Sequence, residues 1–286
     1  MKSKCLLSFL LLFSYSFLYA DSPVWKVSKG DDYLYIGGTI HLLGKSDYPL
    51  PSGFEQAYAQ AQKVVFETDI AKVNSLEFAQ QLLGHVMYPP GTDLTKVLKA
   101  DTFKALKEHF QSRGMPIEAM LNFKIGMIIV TLSTIELQRL GVAGEGVDKF
   151  YNNRSLIDKK TIGYLESPAQ QIIYIADMGK GMEDKVIEHT LRDLKTLPKV
   201  LKSLKFAWRK GDNKKLQEIG IEPFKQDYPA VYHSLLVRRN NAWLGQIESM
   251  VGSDEIELVL VGALHLVGDD GILKLLTDRG YHIEKL

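Results

Sequence analysis

The feature that most constrains this chain is a pair of matching stretches near its two ends. Leu34-Tyr-Ile-Gly-Gly-Thr-Ile-His41 and Leu258-Val-Leu-Val-Gly-Ala-Leu-His265 each run an apolar, strand-like segment into glycine and deliver a histidine three residues after it, from Gly38 to His41 and from Gly262 to His265. Glycine at a strand end lets the backbone turn sharply or approach another group without a Cβ clash, which presents the next side chains at the strand mouth. Open α/β sheets bind ligands at such mouths. One Gly-x-x-His means little, because a lone histidine after a strand is more often a hydrogen-bonded structural residue. Two copies, each following a buried-type strand, point to a shared site.

Residues 1–20 stand apart from the fold. Lys2 and Lys4 precede an apolar run from Cys5 to Tyr19 and the small residue Ala20, the pattern of a secretory signal. The run is shorter than the roughly 20 apolar residues of a comfortable membrane span. The expectation is an exported chain, periplasmic or secreted, that begins near Asp21, forms a single domain over residues 21–286 and carries no stable span after cleavage. Loss of Lys2 and Lys4 leaves 33 basic against 34 acidic side chains, so no basic field for nucleic acid remains. Cys5, the only cysteine, leaves with the signal. That excludes a disulfide framework, a thiolate nucleophile and cysteine-ligated zinc in the mature chain.

The first Gly-x-x-His lies on the second strand of an expected hairpin, 24–27 with 33–37, whose turn is Lys29-Gly-Asp-Asp32. A Pro-rich loop at 47–52 leads to a helix over 53–62 and a short strand at 64–67 that ends in Glu67, a strand-helix-strand unit of the parallel crossover kind. Residues 75–139 read as helices, with 123–140 apolar enough to be a central buried one, and 146–153 as a short helix with Asp148 in its first turn. A strand at 161–166 ends in Glu166, and Ser167-Pro168 caps and opens the next helix. Residues 182–210 are amphipathic with an expected break at Pro198, 227–250 form a long helix containing Arg239 and Asn240, and a strand, His265, a helix over 271–279 and a strand at 282–285 close the chain. The order strand, His41, helix, strand, Glu67 and later strand, Glu166, helices, strand, His265 predicts an α/β fold, with α+β as the neighbouring class. Its mixed sheet would be built from a duplicated strand-helix-strand unit with a large helical insertion.

Imidazole and carboxylate from strand ends make a nitrogen and oxygen set suited to Zn, Mn, Co or Fe. A bound ion of this kind can drive hydrolysis without a serine or cysteine nucleophile. The chain has no Gly-x-Ser-x-Gly elbow and no His-Glu-x-x-His helix. For Glu67 or Glu166 alone, a role as partner of a helix start is an equal alternative. His85, His109, His189, His233 and His282 lack a carboxylate at ligand spacing and read as structural or exposed, Tyr174, Trp208 and Trp243 as helix core, and Asp69, Asp269 and Asp270 as solvated loop charges.

These motifs resemble the TraB/GumN family, which includes the animal Tiki proteases that cut Wnt. The resemblance is carried by Gly37-Gly-Thr-Ile-His41 with Leu42 and Gly44, Val65-Phe-Glu67, Gly163-Tyr-Leu-Glu166 with Gln170, Arg239-Asn240 with Trp243, and Val261-Gly-Ala-Leu-His-Leu266 with Gly268 and Gly271. It spans the mature chain in order. It implies a hydrolase-like fold similar to erythromycin esterases and haem-binding ChaN proteins, with both histidines, both glutamates and the arginine at one site. On that basis His41 and His265 are the expected metal ligands, Glu67, Glu166 and Arg239 the expected catalytic groups, and Gly38, Asn240 and Gly262 further motif positions. Two departures are Leu264, where many bacterial members have glycine, and Arg238, where an acid is frequent.

The leading expectation is an exported metal-dependent hydrolase, peptidase-like, acting on a peptide or protein. Its rival is a non-catalytic binding protein of the same fold that captures haem, a peptide signal or a polysaccharide intermediate.

Overall fold

The computed structural model describes residues 22–286. The segment read as an export signal, 1–20, lies outside the described residues. The motif strands sit at the centre of a six-stranded mixed sheet ordered β6-β4-β7-β2-β1-β8. These strands are β1 (Val24–Lys29), β2 (Asp32–Thr39), β4 (Lys63–Phe66), β6 (Thr161–Tyr164), β7 (Glu257–Gly262) and β8 (His282–Lys285), and β3 (Leu42–Leu43) pairs with β5 (Gly144–Glu145) in a separate antiparallel ribbon. The neighbours β6, β4, β7 and β2 are parallel, and β1 runs antiparallel to both β2 and β8. β7 and the second half of β2 are buried almost throughout, as the near-continuous apolar runs of covered parallel strands require.

The expected hairpin forms, with Lys29 opposite Asp32 and Gly30 at φ 65° in its turn. The first strand-helix-strand unit is also present, with helix Ser52–Gln60 between β2 and β4. β7 inserts between those two strands, so strands from the early and late parts of the chain alternate there. The main core lies about this sheet and includes Phe54, Tyr58, Trp208, Trp243 and Ile247.

A second apolar cluster belongs to the helical region, where Leu106 and Phe110 of helix Ala100–Ser112 and Ile128 and Leu132 of helix Ile125–Arg139 meet Val186 and Ile187. Helix Glu183–Arg209 serves both clusters, with Val186 and Ile187 near one end and Ala207 and Trp208 near the other. It runs unbroken through Pro198, contrary to the expected break. Packing at both ends holds the element across a residue that would interrupt an isolated helix. Three further expectations change. Helix Ile125–Arg139 is buried along one stripe rather than all round, helix Val147–Asp158 is longer than expected, and the long segment before Met250 is divided by a π-helical turn at His233–Val237. Among the described residues no helix is long and apolar enough to cross a membrane.

Candidate functional site

β2 and β7 lie side by side with Gly38 opposite Val261 and Thr39 opposite Gly262, so His41 and His265 leave the sheet at the same edge. A Cβ on Gly38 would stand 3.2 Å from Ala263 Cα and from Leu266 Cδ1; the glycine is what lets the turn after β7 fold over β2. Trp208 Nε1 donates to the Gly38 carbonyl at 2.7 Å and fixes this strand end from the other side. β4 and β6 end at the same edge, where the Glu166 amide donates to the Glu67 carbonyl at 2.9 Å.

Arg239 joins these strand ends. It is the second residue of helix Arg238–Val251, which follows directly on the π-helical turn, and π turns of this kind recur at functional sites. Its Nη2 donates to Glu67 Oε2 at 2.5 Å and to Glu166 Oε1 at 2.7 Å, its Nε to Glu166 Oε2 at 3.1 Å, and its Nη1 to His265 Nε2 at 3.1 Å and to the Leu235 carbonyl at 3.3 Å. The guanidinium also lies 4.6 Å from the Trp243 ring centre and 5.4 Å from that of Tyr174. Arg238 faces outward over Tyr174 at 5.7 Å. Two consecutive arginines thus diverge, and only the second enters the cluster.

Asn240 sets the protonation of His265. Its Nδ2 donates to the carbonyls of Asp270 at 2.7 Å and His265 at 3.2 Å, which leaves Oδ1 to accept from His265 Nδ1 at 2.6 Å. His265 Nε2 then carries a lone pair, the one Arg239 meets. Burial, opposed by Glu67 and assisted by Arg239 and His41, drives the His265 pKa down to about 3, so the ring is neutral across the ordinary pH range.

His41 is the opposite case. Its side chain is 65 % exposed and its Nδ1 donates to Asp148 Oδ2 at 2.8 Å, while Thr39 Oγ1 donates to Asp148 Oδ1 at 2.7 Å. The Asp148 carboxylate raises the His41 pKa well above its ordinary value. Helix Val147–Asp158 brings Asp148 here because Val147 N–H donates to the Ile40 carbonyl at 3.1 Å, and Gly146 packs so closely on His41 that a Cβ would lie 2.1 Å from its carbonyl oxygen.

Burial alone would raise the Glu67 carboxyl. Charge from His265, Arg239 and His41, with the Gly262 N–H donating to Oε1 at 2.7 Å, outweighs it and holds the pKa near 2. With His265 neutral, Arg239 supplies the nearest full positive charge. Glu166 is more enclosed than Glu67, at 2 % side-chain exposure, and accepts a further bond from Gln171 Nε2 at 3.2 Å.

All five expected charged residues and the three further motif positions therefore lie in one connected cluster. His41, Glu67 and Asp148 open onto a pocket of about 280 Å³, together with Phe66, Thr68, Ile70, Val73 and Lys149. Sequence reasoning missed Asp148, which is a first-turn acid like many others until β2 is set beside its helix. It also treated Tyr174 and Trp243 as core alone. Trp243 is 1 % exposed, yet its ring lies 4.6 Å from that of His265. Leu264 packs over Gly220. Asp69 caps helix Ile70–Val73 by accepting from Lys72 N–H at 3.0 Å, and Asp270 accepts from Tyr232 at 2.8 Å. Of the other histidines, His109 stands 3.3 Å from Glu136 and His189 packs edge-on to Tyr228. His85, His233 and His282 are exposed.

The donor chemistry suits a divalent cation. Each imidazole has its Nδ1 committed to an acceptor, the outer bond that metal-binding histidines ordinarily make. The missing Cβ of Gly262 leaves a gap bounded by Glu67 Oε1 at 3.3 Å, His265 Cδ2 at 3.5 Å and His41 Nε2 at 3.8 Å. Among the described residues no group of three or more His, Cys, Asp or Glu side chains is gathered as a metal-holding set, and Arg239 engages His265 Nε2 and Glu67 Oε2.

A mixed α/β sheet with paired histidines, paired glutamates and a bridging arginine at one edge defines the class of protein. The chain belongs to the TraB/PrgY/gumN family, whose sequence profile matches residues 23–285. No curated protein and no solved structure matches the chain significantly.

Proposed function

We propose that this protein is an exported, metal-dependent hydrolase of peptidase type, acting in the periplasm or outside the cell on a peptide or protein. The observation that carries the reading is that His41 and Glu67 line one pocket, with His265 Nε2 3.9 Å from Glu67 Oε1 beside it. His41 and His265 are the residues that would hold the ion, with Zn, Mn, Co and Fe all compatible with imidazole and nearby carboxylate donors. The ion would polarise a carbonyl oxygen and make a water more acidic.

The chain's own residues divide the remaining work. Glu67, on the pocket wall, is the better placed of the two glutamates to orient a water and take its proton. While His265, Arg239, His41 and the Gly262 N–H hold it near a pKa of 2 it is a weak base, and turning the guanidinium toward substrate would remove one of those causes. Arg239 has the forked donors to receive a developing oxyanion or a substrate carboxylate. Glu166, which accepts two bonds from it, anchors the helix-borne arginine. Asp148 and Asn240 orient the two imidazoles. The interleaved half-units, each with a histidine and a glutamate, are consistent with an ancient duplication and with the erythromycin-esterase and ChaN likeness. The near-equal charge count of the mature chain supports a partner other than nucleic acid.

The test is metal analysis of the purified mature protein, followed by a peptide-library cleavage screen with and without chelator. Turnover and melting temperature are then measured for His41→Ala, Glu67→Gln, Glu166→Gln, Arg239→Ala and His265→Ala. Glu67→Gln is expected to lose about 10²- to 10⁴-fold in rate. Unchanged turnover in both glutamine variants overturns the assignment. One observation favours non-catalytic capture of haem, a peptide signal or a polysaccharide intermediate: Arg239 is already engaged by both glutamates. A Soret band on haemin titration, with no metal-dependent cleavage, would establish the haem form of that reading.

A further inference from the structure

Helix Glu183–Arg209 carries a basic face that the proposed chemistry does not use. From residue 194 to residue 211 the chain has six basic side chains and no acidic one, although the mature chain as a whole is nearly balanced. Two of the six serve the fold: Lys205 pairs with buried Asp47, and Arg209 donates to the carbonyls of Asp47 at 2.7 Å and Pro49 at 3.0 Å. The other four, Lys195, Lys199, Lys202 and Lys210, are exposed. Phe206 stands among them at 67 % exposure. Steps of four, three, four and four residues set Lys195, Lys199, Lys202, Phe206 and Lys210 on one face of the helix and its C-cap, in a row about 22 Å long. Lys195, Lys199 and Lys202 make no hydrogen bond or ion pair among the described residues. Ala207 and Trp208 face the core, and Trp208 is bonded to the Gly38 carbonyl, so the row is fixed toward solvent.

A solvated face ordinarily mixes both signs of charge and keeps large apolar rings out. A row of lysines alone would suit any polyanion. The phenyl ring within the row selects among them, because it is stabilised only by a partner with an apolar interior beneath an anionic surface. That is the build of an acidic phospholipid layer. We propose that this face docks the protein on anionic phospholipid, with the helix lying along the surface, the lysines level with the phosphate groups and Phe206 entering the acyl boundary. No described helix is long and apolar enough to cross a membrane, and docking of this kind needs none. The inference is independent of the hydrolase reading, since none of these five side chains lines the pocket beside Glu67.

Vesicle sedimentation of the mature protein tests this, with phosphatidylcholine alone and with an equal mixture of phosphatidylcholine and phosphatidylglycerol. The protein is expected to pellet with the mixed vesicles, to stay in solution with the neutral ones, and to dissociate as salt rises. Changing Lys195, Lys199 and Lys202 together to glutamine should weaken this binding about 10- to 100-fold. Changing the exposed Lys104, Lys149 and Lys159 together removes the same charge from other surfaces and should alter it by less than about threefold. Phe206→Ser should weaken it about 3- to 30-fold at low and high salt alike. Its melting temperature should hold, because the ring is exposed. In Phe206→Trp the added indole emission should move to the blue on mixed vesicles. Equal binding to both vesicle types, equal loss in the two triple variants, or full binding by Phe206→Ser would each overturn the docking face. Heparin bound as tightly as the vesicles, with no effect of Phe206→Ser, would assign the lysines to a soluble polyanion and overturn it as well. A protein that docks on anionic vesicles but cleaves no peptide keeps this face and refutes only the hydrolase.

Discussion

Replacing Arg239 by methionine removes one charge and leaves two buried carboxylates facing each other. Glu67 and Glu166 have side-chain exposures of 8 % and 2 %, and both accept from the same guanidinium nitrogen, at 2.5 and 2.7 Å. Breaking a buried ion pair from one side costs about 3–5 kcal/mol, because the orphaned charge stays buried. The Arg239 charge is one of the causes that hold the Glu67 pKa near 2 against burial, beside His265, His41 and the Gly262 N–H. For a chain of this size each kcal/mol moves the midpoint by about 2–4 °C, so Arg239→Met should melt about 6–20 °C below wild type at pH 7. The effect has a definite pH signature. A carboxylate whose folded pKa is depressed contributes stability above its unfolded pKa, and that contribution is lost as pH falls through the folded value. The gap between wild type and variant should therefore be full above about pH 5 and close as pH falls toward about 2. Differential scanning calorimetry across that range reads both quantities. A midpoint shift under about 2 °C, or a shift that does not change with pH, would refute the buried pairing as the source of stability.

Three further outcomes follow from the same geometry. Because Asp148 keeps His41 protonated at neutral pH, a cation must displace that proton; metal affinity should rise about tenfold per pH unit between pH 6 and 8, read by competition calorimetry, and a flat profile would remove His41 from the ligand set. Gly262→Ala is compatible with its φ of −51° and places a methyl group 3.3 Å from Glu67 Oε1. Stability should change by less than about 1 kcal/mol while metal affinity falls at least about tenfold; equal loss of both would mean that the gap is only a packing feature. ¹⁵N NMR of His265 should show a proton on Nδ1 and none on Nε2 from pH 5 to 8 in the metal-free protein, and an imidazolium signal in that range would contradict the Asn240 and Arg239 bonding described above.

The amino-acid order alone determined the six strands of the main sheet, while the short β3–β5 ribbon was not legible in it. β2 and β7 are long apolar runs ending in glycine, and such runs become buried strands because few other arrangements cover both faces. Ser167 with Pro168 and Gln170 opened a helix where expected, since a capping box is a local bond pattern. The candidate cluster was legible as five charged residues at strand ends and on one helix. Its connections were not. Arg239 meets Glu67 across 172 positions and His41 meets Asp148 across 107, and no local periodicity records either contact. Only the tertiary structure decided that β7 inserts between β4 and β2 and that the π-helical turn sends Arg239 inward while Arg238 stays outside. The same holds for helix Glu183–Arg209, which runs through Pro198 because apolar clusters hold it at both ends. Local sequence reports which faces must be buried; the partners that bury them, and the charges that partners impose on one another, exist only once the strands take their order in the sheet.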